Sequence, residues 1–278
     1  MSFSPEWLAL REPADHAARS TDLMARLARH FAGRDRINVV DLGCGAGSNL
    51  RGTFAALPDV QDWRLVDYDP ALLAAARARL AAWADEAHAD GDRLLLRKDG
   101  KALSVAFHQA DLTRDLATAL PESADLVTAA ALFDLVSPTW IDGFVAHLAR
   151  RRLPLYTVLT YDGTERWDPP HPADAAMLAA FHAHQATDKG FGPAAGPKAT
   201  RAMAEAFAAA GYDVARAPSP WELGPAFADL ARELVTGFAG AVRETGRVPE
   251  ADIAGWLAAR RTRVTCHVGH EDLFAVPR

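Results

Sequence analysis

Asp41, Gly43, Gly45 and Gly47 occupy alternate positions in "VVDLGCGAGSNLR" (39–51), where an apolar run passes into a polar, helix-capable segment. Glycines at such a turn let the backbone approach a ligand closely, because a side chain there would take up the ligand's space. The dinucleotide fingerprint G-x-G-x-x-G would put its third small residue at 48, where Ser48 stands, so the spacing favours another nucleotide-type ligand. Asp67 lies twenty residues beyond Gly47, at the end of a second apolar run, where a carboxylate can accept hydrogen bonds from both hydroxyls of a ribose. Asp69 competes for that task, but its place before Pro70 makes it the better helix cap. Further along, "HAHQATDKGFGPAAGP" (182–197) gathers His184, Gln185, Asp188, Lys189 and Phe191 among Gly and Pro residues. A histidine titrating near neutrality can take a proton from a substrate, and the polar neighbours can orient both. His182 and His184 are two apart, so a helix would turn them to different sides, and no metal site is expected.

The order of D-x-G-x-G-x-G, then Asp67, then "ADL" (110–112) resembles that of the class I S-adenosylmethionine (SAM)-dependent methyltransferases, the likeness running from residue 37 to about 161. The resemblance implies a SAM cofactor lying against Asp41, Gly43, Gly45 and Gly47, with Asp67 on its ribose. It further implies that the Asp111 carboxylate takes the adenine amine and Leu112 offers a backbone N–H, although Asp111 could equally cap a short helix at 113–119. "REPADHAAR" (11–19) is similar to the N-terminal helix that many small-molecule methyltransferases fold over the cofactor, and would set Arg11 against a carboxylate. In an open α/β sheet the reacting centre lies beyond the carboxyl ends of the strands. That points to Asp134 and Trp140 in "ALFDLVSPTW" (131–140) and to Tyr161 in "TYDGTERW" (160–167). His184 is the first choice of general base, with Asp134 second and Lys189 assisting; Trp140, Tyr161, Gln185, Asp188 and Phe191 are expected around the methyl acceptor. "DPPH" (168–171) resembles the loop with which amine methyltransferases of DNA and protein hold a planar nitrogen, but it follows the wrong strand and reads as loop rigidity.

The elements that must position these residues follow from hydrophobic spacing. "INVVDLG" (37–43), "WRLVDYD" (63–69), "ADLVTAAALF" (124–133) and "LPLYTVLTYDG" (153–163) alternate with helical patterns, the signature of a mainly parallel sheet. Asp99-Gly100 between apolar runs predicts a hairpin, and "DPALLAAARARLAAWADEA" (69–87) predicts a helix. "YDVARA" (212–217) and "VTCHVGHEDLFAVP" (264–277) are expected to resume and close the sheet, with a long helix through Phe227 to Val242 and a second one starting at Pro249 between them. The expected fold is α/β, a Rossmann-like class I methyltransferase sheet carrying an inserted helical and loop cap. One domain, 1–278, is expected, with a lid at 1–32 and cap segments at 162–199 and 218–262.

At 278 residues, 50% hydrophobic and 24% charged, the composition is that of an ordinary globular protein. A net charge of −6 with no basic run argues against nucleic acid as a partner. Cys44 and Cys266 form no disulfide or zinc pattern, and the N-terminus has neither a signal peptide nor a membrane span, so a cytoplasmic location is expected. These readings converge on O- or N-methylation of a small molecule. The alternatives on the same fold are an RNA or protein methyltransferase, or a SAM-binding protein without catalysis.

Overall fold

Val39 and Val40 are neighbours in the first strand, yet they belong to different hydrophobic cores, one on each face of the sheet. Alternation of side chains along a strand makes this possible, and it is why the apolar runs read as continuous rather than alternating. The computed structural model describes residues 3–261 and 264–278. Residues 1 and 2 of the expected lid and residue 262 of the expected cap therefore lie outside the described residues.

The chain begins with α1 (Pro5–Ala18), α2 (Thr21–His30), β1 (Arg36–Leu42), α3 (Ser48–Thr53), β2 (Val60–Asp67) and α4 (Pro70–Trp83). Next come β3 (Glu86–Asp90), β4 (Arg93–Lys98), β5 (Lys101–Gln109), α5 (Leu116–Ala119), β6 (Leu126–Ala130) and α6 (Pro138–Arg151). The second half holds β7 (Leu155–Asp168), α7 (Asp174–Gln185), α8 (Ala199–Ala209), β8 (Tyr212–Pro218) and β9 (Trp221–Leu223), then α9 (Ala228–Thr245), α10 (Glu250–Ala258) and β10 (Thr265–Pro277). The sheet runs β3-β4-β5-β2-β1-β6-β7-β10-β8, with β9 paired to β10. From β5 to β7 all pairings are parallel; β10 is antiparallel to both neighbours, and β3–β4 is an antiparallel addition at one edge.

Local sequence sets the helix starts. Ser4, Ser20, Asp69 and Ser137 each accept a hydrogen bond from a first-turn backbone N–H, and Pro5, Pro70 and Pro138 occupy positions where a missing N–H costs nothing. Asp99 and Gly100 both take positive φ in the β4–β5 turn, as the hairpin requires.

Three expectations need correction. The helix after Asp69 ends at Trp83, and Glu86–Asp90 is a strand; every residue of that strand is exposed, so no hydrophobic pattern marks it. The helix expected at 113–119 is confined to Leu116–Ala119. The fourth run does not stop at 163 but continues to Asp168, bulging opposite Gly269 and then pairing again with β10. Residues 162–168 are therefore a strand arm rather than loop, and α7, α9 and α10 pack around it through Phe181, Phe238, Trp167 and Trp256.

Asp272 on β10 ties distant parts of the chain together. Its buried carboxylate accepts from the backbone N–H of Ser20 at 2.8 Å and of Leu159 at 2.9 Å. Leu159 stands at φ 59°, a conformation that costs a residue with a Cβ about 1–2 kcal/mol. Replacing Asp272 with Ala strands two buried donors, and we expect a loss of about 2–3 kcal/mol in urea unfolding; a variant within error of wild type would remove this role.

Candidate functional site

At the carboxyl ends of β1, β2, β5 and β6 lies a cavity of about 370 Å³. Its floor is the glycine turn. Gly43 and Gly45 line it at φ 63° and 52°, and a Cβ on Gly45 would come 3.0 Å from Leu8 of α1, which lies over the turn. Gly47 also has positive φ but does not line the cavity; a Cβ there would meet Ala76 and Leu80 of α4 at 3.5 Å. That is ordinary contact distance, so it is the positive φ that calls for glycine there, and its place outside the cavity lining corrects its assignment to the ligand. Asp41 is corrected too. It is fully buried beneath the floor, where its Oδ1 accepts from the Asn49 side chain at 2.7 Å while Oδ2 has no partner. Burial pushes its pKa up to about 7. Its part is to hold Asn49, which does line the cavity.

Asp67 stands at the cavity edge. Its Oδ2 accepts from the Gly45 N–H at 2.8 Å and its Oδ1 from the Asp69 N–H at 3.0 Å; burial raises its pKa. Asp69 accepts from the Ala71 N–H at 2.8 Å and caps α4. Asp111 and Leu112 line the cavity as well. The Asp111 carboxylate accepts from the hydroxyl and N–H of Thr113 and pairs with Arg114, and these contacts lower its pKa. Tyr68, 69% exposed, also lines this end, and nothing in its sequence setting marks it.

One side is formed by Leu8, Arg11, Asp15 and Arg19. Arg11 is held bidentately by Asp15, at 2.9 to 3.2 Å, and lies over the Trp221 ring, whose N–H also donates to Asp15 at 3.0 Å. Arg19 donates to Thr53 at 2.8 Å and Asn49 at 3.0 Å, but its buried Nε has no partner. The guanidinium with an unused donor is thus Arg19, which the sequence reading passed over. The four-residue spacing of Arg11, Asp15 and Arg19, placing them on one helix face, was the available signal.

Beyond β6, Ala130, Ala131, Leu132 and Leu135 close the cavity. Asp134 lies behind them, with its Oδ1 enclosed and unpartnered; burial pushes its pKa up to about 6, opposed by Arg11 and the Tyr161 backbone N–H. Phe191 reaches the cavity and Lys189 its rim. The other expected acceptor residues are elsewhere. Trp140 stacks on Phe144 at 5.2 Å and donates to the Leu112 carbonyl at 3.1 Å, because packing and a partner for its N–H are both available there. Tyr161 is buried with its hydroxyl 3.2 Å from His182 Nε2. Asp188 accepts from Gly190 and Gly192 N–H groups and shapes its own loop, and Gln185 lines neither cleft. His184 points away from the cavity to Glu244, at 3.0 Å, in an open surface cleft of about 580 Å³ shared with Lys189 and Arg247. The helix turns His182 inward and His184 outward, which removes His184 as the base.

The mostly parallel sheet with its flanking helices is that of the Rossmann-like methyltransferase fold. No protein-family model matches the chain, and no curated protein sequence does. Among solved structures, the chain is similar to a cyclopropane synthase from Mycobacterium tuberculosis, at 14% identity and a TM-score of 0.51 over 98% of this chain and 94% of that one. Other similar structures are SAM-dependent methyltransferases from Thiobacillus denitrificans (16% identity, TM-score 0.46, 99% and 100% covered) and Geobacter sulfurreducens (14%, 0.48, 100% of each), both in complex with S-adenosylhomocysteine. Among the described residues no helix is long and apolar enough to cross a membrane, and Cys44 and Cys266 are buried and unpaired.

Proposed function

We propose that this protein is a SAM-dependent methyltransferase acting on a small molecule, at an oxygen or nitrogen. The observation that carries the reading is the convergence on one cavity of Gly43 and Gly45, Asp67, and Arg19. These fit SAM in charge and shape: a glycine cradle that a Cβ would fill, a carboxylate for hydroxyls, and a buried cation for a carboxylate. Asp67 would take the ribose, Asp111 and Leu112 the adenine, and Arg19 with Asn49 the amino-acid end. SAM, when bound, supplies an electrophilic methyl group on a sulfonium that leaves as a neutral thioether. What falls to the chain is alignment, exclusion of water and acceptance of a proton. Leu132 and Leu135 exclude water, α1 with Leu8 serves as the lid, and the helices around the β7 arm serve as the cap. Asp134 replaces His184 as the group placed to accept a proton. Net charge −6 without a basic run supports a small acceptor over RNA.

Calorimetry tests the reading. SAM and S-adenosylhomocysteine should bind and NAD(H) should give no heat; NAD(H) binding with SAM silent would overturn it. Asp67→Ala should weaken SAM by about 1–3 kcal/mol, the worth of charge-assisted hydrogen bonds to the ribose. SAM binding without methyl transfer to any component of a metabolite extract would favour the non-catalytic alternative.

A further inference from the structure

Behind Arg11 lies a polar cluster that cofactor binding does not use. Asp134 follows β6, Glu165 lies on the β7 arm, and His270 sits opposite Tyr161 in the β7–β10 pairing. Asp134 Oδ1, Glu165 Oε2 and His270 Nδ1 are all enclosed, and none has a hydrogen-bond partner. His270 is only 6% exposed, its ring wedged between Trp221 at 5.1 Å and Tyr161 at 6.3 Å. Tyr161 is the hub. Its backbone N–H faces Asp134, its hydroxyl meets His182, and the charges of Glu165, Asp162 and Asp134 surround its ring, raising the phenol pKa further than burial alone. The cluster connects to the cofactor cavity through Trp221, Asp15 and Arg11, the last two of which line that cavity.

Native proteins leave few buried polar atoms unpaired, because each one costs free energy. Here three belong to groups gathered around Tyr161, beyond the carboxyl end of β6. Two of the three belong to carboxylates. On this side of the site stand the carboxyl groups of Asp134, Asp162 and Glu165, the last held protonated near neutral pH by burial and able to regain its charge against a bound cation, while Arg11 is already paired with Asp15. An acceptor entering as an anion would meet the Asp134 and Asp162 carboxyl groups with no unpaired cation beside them. A cation with several N–H groups would satisfy the orphaned atoms together.

Resting on the methyltransferase reading above, we propose that Asp134, Glu165 and His270 form the acceptor subsite and that the acceptor is an amine, bound as its ammonium ion when the Arg11 side chain swings aside. The Asp134 carboxylate takes one proton from the ammonium nitrogen. The freed lone pair then forms the new N–C bond as the S–C bond of the sulfonium breaks, with that bond's electrons remaining on sulfur. The product is a methylammonium and a neutral thioether, and the proton on Asp134 passes to solvent.

The test uses the full chain loaded with S-adenosylhomocysteine and a small-metabolite extract, divided so that one half has its amines capped with acetic anhydride. Components retained with the protein on ultrafiltration are identified by mass, and methyl transfer from labelled SAM to each half is measured in parallel. Retained components should carry an amine, and capping should reduce both retention and label by at least about tenfold, as expected when a charge-assisted hydrogen bond is lost. Asp134→Asn, nearly isosteric, should lower retention to a similar extent while S-adenosylhomocysteine affinity stays at wild type; Glu165→Gln provides a second variant should Asp134→Asn fold poorly. Retention or labelling that survives capping, or that both variants leave unchanged, overturns the amine subsite while the methyltransferase reading stands. Failure to bind SAM overturns both.

Discussion

Gly45→Val should reduce SAM binding at least 100-fold, about 2.7 kcal/mol or more, while leaving a folded protein. Gly45 lines the cavity, and its N–H is engaged by Asp67, so a branched side chain both occupies ligand space and forces φ 52° on a residue that resists it. The nearest atom to the new Cβ is the end of the flexible Leu8 side chain, which can move, so the folding cost should stay at about 1–3 kcal/mol. Gly47→Val is the informative comparison. Gly47 lies outside the cavity lining, and its φ of 77° is one that a branched residue resists, so the effect should fall on the urea midpoint more than on cofactor affinity. Calorimetry and urea unfolding on both variants separate the two roles. Wild-type SAM affinity in Gly45→Val would show that the turn does not face the cofactor.

Glu165→Gln should stabilise the ligand-free protein by roughly 3–5 kcal/mol at pH 9 and by almost nothing at pH 4. Burial lifts the Glu165 pKa from its ordinary 4.5 to about 8, against the relief given by the Trp167 indole. Tyr161 on the same strand and Cys266 on β10 face it, and neither offers a positive charge. The sign follows from proton binding. Below pH 4.5 the carboxyl is protonated both folded and unfolded, and its contribution is constant. Between about 4.5 and 8 the unfolded chain has released the proton and the folded chain has not, so stability falls as pH rises through that window, then levels off. Gln removes the titration. Urea unfolding of both proteins at pH 4, 7 and 9 checks it, and parallel pH profiles would refute it. A residue that lowers stability at neutral pH is retained where function needs it, which agrees with a place in the acceptor subsite.

The glycine-turn side of the cavity was legible in the sequence because its geometry is local. Gly43 and Gly45 are fixed by one turn, Asp67 by the end of one strand, and Asp69 by its proximity to Pro70, so spacing along the chain becomes spacing in the fold. Asp41 and Gly47 belong to the same stretch, yet neither lines the cavity: Asp41 is buried against Asn49, and Gly47 faces α4. The surroundings of β6 and β7 were not legible because their geometry is not local. Whether His182 or His184 turns inward depends on the phase of α7 against β7, set by Phe181 packing on Phe238 from a helix more than fifty residues away. The length of the β7 arm depends on its pairing with β10, and the exposed strand β3 has no burial to imprint a pattern.

Asp272 has a consequence in time as well as in space. It holds the backbone of Ser20, which a ribosome makes 252 residues earlier, and of Leu159, made 113 residues earlier. Ser20 caps the helix that directly follows α1, whose Leu8 lies over the glycine turn, and Leu159 lies on the strand that leads to Tyr161. Neither segment can be locked in place until residue 272 has been translated and has left the exit tunnel. The parallel strands β1, β2, β5 and β6 can pair while synthesis continues, but the wall formed by α1 is held only once β10 has entered between β7 and β8.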